Sequence, residues 1–280
     1  MPTNPIQAAF LKGSLSSFNT YGYSPYPLFR YVGPGGWIRS LLKRTPTSTK
    51  PFIISITESH ATDFRLMLNT IQGLRAADQG WRSRIAIELN ASCPNIPTRP
   101  PPSYDPAGSA LVTLLDVLAE YFERDNTLTT GIKLPPYVIN TQIADVIQTI
   151  GAYSRADPAS GASVNPIAFL TCTNTLGNSL VFGDQVEGTL GESPSVGGLA
   201  GEAIHALSLG NVHAITKLLA ESEDPALRDI VVIGAGGVTS PEGVARMHRA
   251  GAKVVGSATL LGKLGVAAFE LLSKPVDSVS

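Results

Sequence analysis

The sequence predicts an α/β chain of the (β/α)8-barrel class on three observations. Apolar runs recur along the chain, each followed by a loop and then a segment with helical spacing. The runs are nearly continuous rather than alternating, which marks strands buried on both faces of a parallel sheet. Polar and glycine residues gather just after the runs, at Asn90, Lys133, Asn174, Gly236 and Ser257. Barrel enzymes carry their chemistry at that end of the strands. An open doubly wound sheet is the competing arrangement.

Six strand–helix units can be read in order. PFIISIT (51–57) leads to a polar helix near 61–78. IAIELN (85–90) is followed by a proline-rich loop over 91–108 and by ALVTLLDVLAEYFER (110–124), whose leucines and valines fall at helical spacing. TTGIKLP (129–135) precedes a helix at about 140–152. PIAFLTCTNT (166–175) precedes a long glycine-rich loop and then a helix near 201–220. DIVVIGAGG (229–237) precedes a helix that starts at SPEG, and AKVVGSAT (252–259) precedes a terminal helix. Residues 155–165, RADPASGASVN, read as a flexible insertion within a single domain over 1–280, and 272–280 read as a frayed tail. No strand is expected before Ser14.

Composition narrows the function classes. With 43% hydrophobic and 15% charged residues among 280, the chain can bury a sizeable core and is not disordered by composition. Net charge is −1 with no block of Lys or Arg, so no nucleic-acid or anionic-membrane footprint appears. No apolar run reaches the ~18 residues of a membrane helix, and the N-terminus lacks a signal-peptide pattern. Two cysteines, Cys93 and Cys172, are too few for a disulfide framework. The expectation is a soluble, cytoplasmic protein whose partner is a small molecule or another protein.

Two glycine loops carry the strongest binding signal. IGAGGVTSPEG (233–243) ends a strand in glycines and opens a helix, so its backbone N–H groups can approach an anion beside a helix N-terminus. VVGSATL (254–260) places Gly256 and Ser257 after the last strand. Loops after the final two strands of a barrel frequently bind phosphate. Tight turns alone would also explain the glycines. No GxGxxG follows an early strand, so a dinucleotide site of the Rossmann kind is not expected. Lys133, at a strand end before two prolines, is either a fixed cation beside a ligand or a side chain reaching solvent. Asn174 is a buried amide that needs partners. The four histidines, 60, 205, 213 and 248, lack metal-ligand spacing, fall in helix-like segments and read as surface or packing residues; no metal is expected. Cys172 reads as barrel wall. Cys93, where the chain leaves a strand in ELNASCPNIPTRPPP, is an unusual place for a residue that is most often buried.

Taken together, NTYGYSP (19–25), ELNASCPNIP (88–97), GIKLPP (131–136), TNTLGNSL (174–181), GGLAG (197–201), IGAGGV (233–238) and GSATLLGK (256–263) resemble the dihydroorotate dehydrogenase family, particularly its soluble class 1 members. The resemblance implies an FMN-containing barrel that oxidises dihydroorotate to orotate in pyrimidine synthesis. The position matching the family's catalytic base is Cys93, where class 1 enzymes use cysteine and membrane-associated class 2 enzymes serine. Only the thiolate is a base, and a polar loop can favour it. By the same matching, Asn19, Asn90, Asn95 and Asn174, with Thr175, would hold the pyrimidine edge and carboxylate. Lys133 would contact the flavin, and Gly201, Gly236, Gly237, Gly256 and Ser257 would cradle its phosphate. The proline-rich segment after Cys93 would be a lid. The fumarate-using homodimeric branch fits better than the NAD-linked one.

The family pattern also implies two strands ahead of Asn19, the second with a lysine-bearing loop. Neither is found here, so the barrel is expected to lack its first two strands. The chain then derives from a longer protein, or closes differently, or pairs with another chain. A flavin-poor relative of the family, or another FMN barrel reductase of pyrimidines, are the alternatives.

Overall fold

The computed structural model describes residues 8–22, 24–95, 100–191 and 193–276. Strands β1 (Ala8–Phe10) and β2 (Ser16–Asn19) come first, then helices α1 (Leu28–Val32) and α2 (Trp37–Arg44). The repeating part follows as β3 (Phe52–Ile56), α3 (Ala61–Ala76), the short α4 (Gln79–Arg82), β4 (Ile85–Asn90), α5 (Ser109–Arg124), β5 (Thr129–Leu134) and α6 (Asn140–Gly151). Next come β6 (Arg155–Ala156), β7 (Ser163–Val164), β8 (Ile167–Cys172), β9 (Leu176–Val181) and β10 (Ser195–Gly201). The chain ends with α7 (His205–Glu221), α8 (Pro225–Arg228), β11 (Val231–Ala235), α9 (Pro241–Arg249), β12 (Val254–Gly256), α10 (Thr259–Leu264) and α11 (Ala267–Leu272). No described helix is long and apolar enough to cross a membrane.

Six strands form one curled parallel sheet in the order β12-β11-β8-β5-β4-β3, a half-barrel. These are the six strands read from the sequence, and among the described residues the barrel lacks its remaining strands. Continuous burial holds in the middle, where five of the six β4 residues are buried. It fails at the edge: β3 alternates, with Ile54 and Ile56 buried and Ile53 and Ser55 exposed. The cause is geometric. A closed barrel gives every strand two neighbours, whereas β3 and β12 pair on one side only, so their lumen-facing side chains meet solvent. Ile53 on β3 and Val254 on β12 are 44% and 50% exposed.

The helix-facing side of the sheet holds the core. Ile54, Ile56, Ile87, Leu89, Ile132, Leu134, Leu170 and Val232 pack with helix residues such as Phe64, Leu68, Leu114, Leu118 and Val146. Helix α5 shows why. Leu111, Leu114, Leu115, Leu118 and Tyr121 recur at three- and four-residue steps and all are buried. Each such side chain contributes roughly 1.5–3 kcal/mol by leaving water.

The beginning of the chain differs from expectation, because β1 lies before Ser14. It is no barrel strand. It joins β2, β10 and β9 in a separate antiparallel sheet of order β1-β2-β10-β9. The segment expected as a glycine-rich loop after Asn174 supplies β9 and β10 to this sheet, so the following helix begins at His205 rather than near 201. Pairing, not propensity, makes β10 a strand: SVGGLAG is poor in β-branched residues, yet it aligns with β2 from Gly198↔Asn19 to Gly201↔Ser16. Ala9, Phe18, Val181, Val186 and Leu190 form a small core beneath it. Residues 155–165 form the β6–β7 hairpin, whose turn is tied by the Asp157 carboxylate accepting from Ala159 N, Ser160 N and Ser160 Oγ. The last four residues of the expected tail lie outside the described residues.

One charged network ties the amino-end face of the sheet, where α3, α4 and the turn into β5 meet. Arg75, 2% exposed, donates to Asp125 Oδ2 at 2.8 Å, Thr127 O at 2.8 Å and Arg82 O at 3.2 Å. Arg82 donates to Asp125 Oδ1 at 2.7 Å, and Thr127 Oγ1 donates to the same oxygen at 2.6 Å. Burial pushes the Asp125 carboxyl upward, but hydrogen bonds from Thr127, Arg82, Arg75 and Gln72 overcome it and hold it well below the usual carboxylate range.

Candidate active site

Parallel pairing lines up the strand ends. Asn90, the last residue of β4, pairs with Lys133 on β5, and Lys133 pairs with Thr171 on β8. Beyond β8, backbone bonds fix the exit: Thr173 N donates to Ala235 O at 2.7 Å, and Asn174 N to Leu134 O at 2.8 Å. A cleft of about 110 Å³ opens over these ends. Lys133, Asn174, Thr175, Gly201, Gly236, Gly237 and Ser257 line it together. Gly256 ends β12 directly before Ser257.

The glycines are needed where they stand. Gly236 has φ 124°, and a Cβ there would sit 2.0 Å from Ser208 Oγ. Gly201 has φ 81°, and its Cβ would meet Leu15 O at 2.3 Å. Both conformations lie in the region only glycine adopts freely, so the backbone curls against the cleft without side chains in between. Ser257 Oγ donates to Val238 O at 2.7 Å, linking the two glycine loops. Lys133 is half-buried, and its ammonium has no hydrogen-bond or ion-pair partner among the described residues. Backbone donors, a serine and an unpaired cation suit an anionic, phosphate-bearing ligand.

A shell of amides borders the cleft. Asn174 Nδ2 donates to Asn90 Oδ1 at 3.2 Å and to Ser92 Oγ at 3.0 Å, while its Oδ1 accepts from Thr175 N at 2.8 Å. Asn19 Nδ2 donates to Gly198 O at 3.2 Å, and the close approach of Thr175 Oγ1 leaves Gly198 no room for a Cβ. Asn95 Nδ2 donates to Asn19 Oδ1 at 3.1 Å and Tyr21 O at 2.8 Å. Cys93 joins this shell through Sγ–H, which points to Tyr21 O at 3.8 Å. The structure therefore brings Asn19, Asn90, Asn95, Asn174, Thr175 and Cys93 into one connected rim. Cys93 itself opens on a smaller neighbouring cleft with Thr57, Glu58, Asn90 and Pro100–Pro102, not on the one that Lys133 lines. Part of the expected lid, residues 96–99, lies outside the described residues.

Three features were not visible in the sequence. His205 is more than a packing residue. Arg246 Nε donates to its Nε2 at 3.1 Å, which leaves Nδ1–H to donate to Gly236 O at 2.9 Å. Glu88 is buried on the lumen face, where Ser55 Oγ and Thr171 Oγ1 donate to its two oxygens at 2.7 and 2.6 Å. His60 precedes α3 rather than lying in it, and stands with Glu58 and Asp63 in an exposed cluster whose ligand atoms lie within 4.8 Å of one another. Cys172 is fully buried, and burial with nearby Glu88 pushes its thiol far up.

Side chains with chemistry at the carboxyl ends of a parallel barrel sheet, above a charged network that only ties the opposite face, define a barrel enzyme. Comparison with known sequences names the kind. A family model described as Dihydroorotate dehydrogenase matches residues 33–279, and this chain belongs to that family and is an oxidoreductase of its type. A protein of Streptococcus pyogenes serotype M5 (strain Manfredo), named by inference dihydroorotate dehydrogenase A (fumarate), is 30% identical over 278 residues, spanning 99% of this chain and 77% of that protein. A protein of Streptococcus agalactiae serotype Ia with the same name is 31% identical over 193 residues, 69% of this chain and 54% of that protein.

Proposed function

We propose that the chain is one barrel domain that binds FMN and oxidises dihydroorotate to orotate, with Cys93 as the base. The observation that carries the reading is the unpaired Lys133 ammonium in one cleft with the glycine loops, beside an amide rim that includes Cys93. Gly201, Gly236, Gly237, Gly256 and Ser257 would hold the phosphate of FMN, and Lys133 would contact the flavin. Asn19, Asn90, Asn95 and Asn174, with Thr175, offer paired donors and acceptors to a ring of alternating C=O and N–H groups. The Cys93 thiolate takes the C5 proton. Bound FMN would supply the acceptor for the C6 hydride. Fumarate would serve as the terminal electron acceptor, and the enzyme works as a cytoplasmic homodimer in pyrimidine synthesis.

Purification is the first test. The expected protein is yellow and its flavin is bleached by dihydroorotate and recoloured by fumarate. The half-barrel with its exposed lumen favours one rival, a relative that keeps the fold without flavin. Colourless protein that FMN cannot reconstitute selects that rival. A second expectation concerns His205. His205→Ala removes the bond that steadies Gly236 and is expected to weaken FMN binding roughly 5-fold, the effect of one hydrogen bond. Fluorescence titration of apoprotein with FMN reads this, and equal affinity would return His205 to a packing role.

A further inference from the structure

Helix α7 carries His205, Ser208 and Asn211 three residues apart, on one face. Each reaches a different strand exit. His205 bonds Gly236 O after β11, and Ser208 Oγ shares a 2.9 Å hydrogen bond with Thr173 Oγ1 after β8. Asn211, 2% exposed, grips the exit of β5: its Oδ1 accepts from Tyr137 N and its Nδ2 donates to Tyr137 O, both at 2.9 Å. That amide satisfies both backbone groups of a residue in no helix or strand.

Tyr137 passes the restraint onward. Its hydroxyl, buried with the rest of the side chain, donates to Ser103 O at 2.6 Å. Ser103, fully buried, closes the loop that holds Cys93: its N–H and Oγ both donate to Ala91 O, at 3.1 and 2.7 Å. Ala91 and Ser103 are thus the neck of a loop with Cys93 inside it, and Tyr137 is the outside brace on that neck. Gln142 Nε2 adds a bond to Tyr104 O at 3.2 Å on the same leg. Among the described residues, the thiol has only the long contact to Tyr21 O. Where the sulfur sits therefore depends on how firmly the neck is closed. A packing residue at 137 would need no hydroxyl.

We infer that Tyr137, clamped by Asn211, is a positioning residue that closes the neck of the Cys93 loop and so sets where the thiol stands. The inference rests on the reading of Cys93 as the base. A base must stand within hydrogen-bond reach of its proton, and a displacement of about 1 Å can cost on the order of 100-fold in rate.

Tyr137→Phe keeps the ring and removes only the brace. Two readouts are taken on the purified wild-type and variant chains: hydrogen exchange resolved by segment, and flavin reduction by dihydroorotate after FMN loading. The expected result is exchange about 5-fold faster over 91–95 and 100–104, from the loss of one hydrogen bond, with β4 and β5 unchanged. Flavin reduction slows at saturating dihydroorotate while the half-saturating concentration stays the same. Exchange that speeds everywhere, or nowhere, overturns the proposal. So does unaltered flavin reduction in a variant of a wild type that is active. If the wild type reduces no flavin, the Cys93 reading fails by itself, and the exchange pattern still decides the brace. Should Tyr137→Phe not fold, Asn211→Ala releases the clamp on Tyr137 and carries the same expectations.

Discussion

Cys93→Ala is expected to lower dihydroorotate oxidation by about 10²–10⁴-fold, the usual contribution of a general base. The structure makes this a clean experiment. The thiol is half-buried in a polar rim and held only by a long Sγ contact, because Asn95 Nδ2 takes the same Tyr21 carbonyl at 2.8 Å. Alanine there leaves no buried polar group stranded, so the fold should persist. No substitute thiol stands by, since Cys172 is sealed in the wall of β8 with its ionisation suppressed by burial. Cys93→Ser keeps a proton-accepting oxygen of much higher pKa. It should retain slow turnover with its optimum moved to higher pH. Anaerobic mixing of flavin-loaded protein with dihydroorotate measures the step directly. Wild-type rates in Cys93→Ala would remove the residue from the chemistry.

Asp125→Ala is expected to destabilise the protein by about 3–5 kcal/mol, because it leaves the buried Arg75 guanidinium without its counter-charge. A urea titration should show a lower midpoint with an unchanged slope. Acid adds a signature. The folded Asp125 carboxyl lies below its unfolded value of about 3.9. Its contribution is therefore full above that value and is lost as pH falls through it toward the folded pKa. The gap between wild type and Asp125→Ala should stay constant from pH 5 to 8 and shrink below about pH 4. A gap that widened in acid would mean that Asp125 is not held ionised by its neighbours. The network lies on the face opposite the cleft, so the folded variant should bind flavin as wild type does.

The six parallel strands were legible because they are continuous apolar runs, and the strand-end residues Asn90, Lys133 and Asn174 because polar side chains interrupt those runs at one end. What stayed hidden depends on long-range partners. Nothing local in SVGGLAG marks a strand; its extended form follows from β2, which lies far away in sequence. His205 looked like any helical histidine until Gly236 and Arg246 were placed beside it. Arg75 and Asp125 sit in segments that read as ordinary polar helix and turn, and only the fold makes them a buried pair. Tyr137 followed two prolines, with no sign of a partner in Ser103 or Asn211.

The exposed lumen reverses the usual map of which positions are constrained. In a closed barrel the inward side chains form the densest part of the molecule, and drift there is slow. Here Ile53, Val231 and Val254 line a wetted trough, while the close packing lies between the sheet and its outer helices. Inward positions at the margins of the sheet, such as Ile53 and Val254, are thus free to vary with solubility, while inward Glu88 stays buried and outward Ile87 and Leu89 are held by volume. Among relatives that share this shape, the inner face of the marginal strands should carry the historical variation and the outer face of the sheet the memory of the fold.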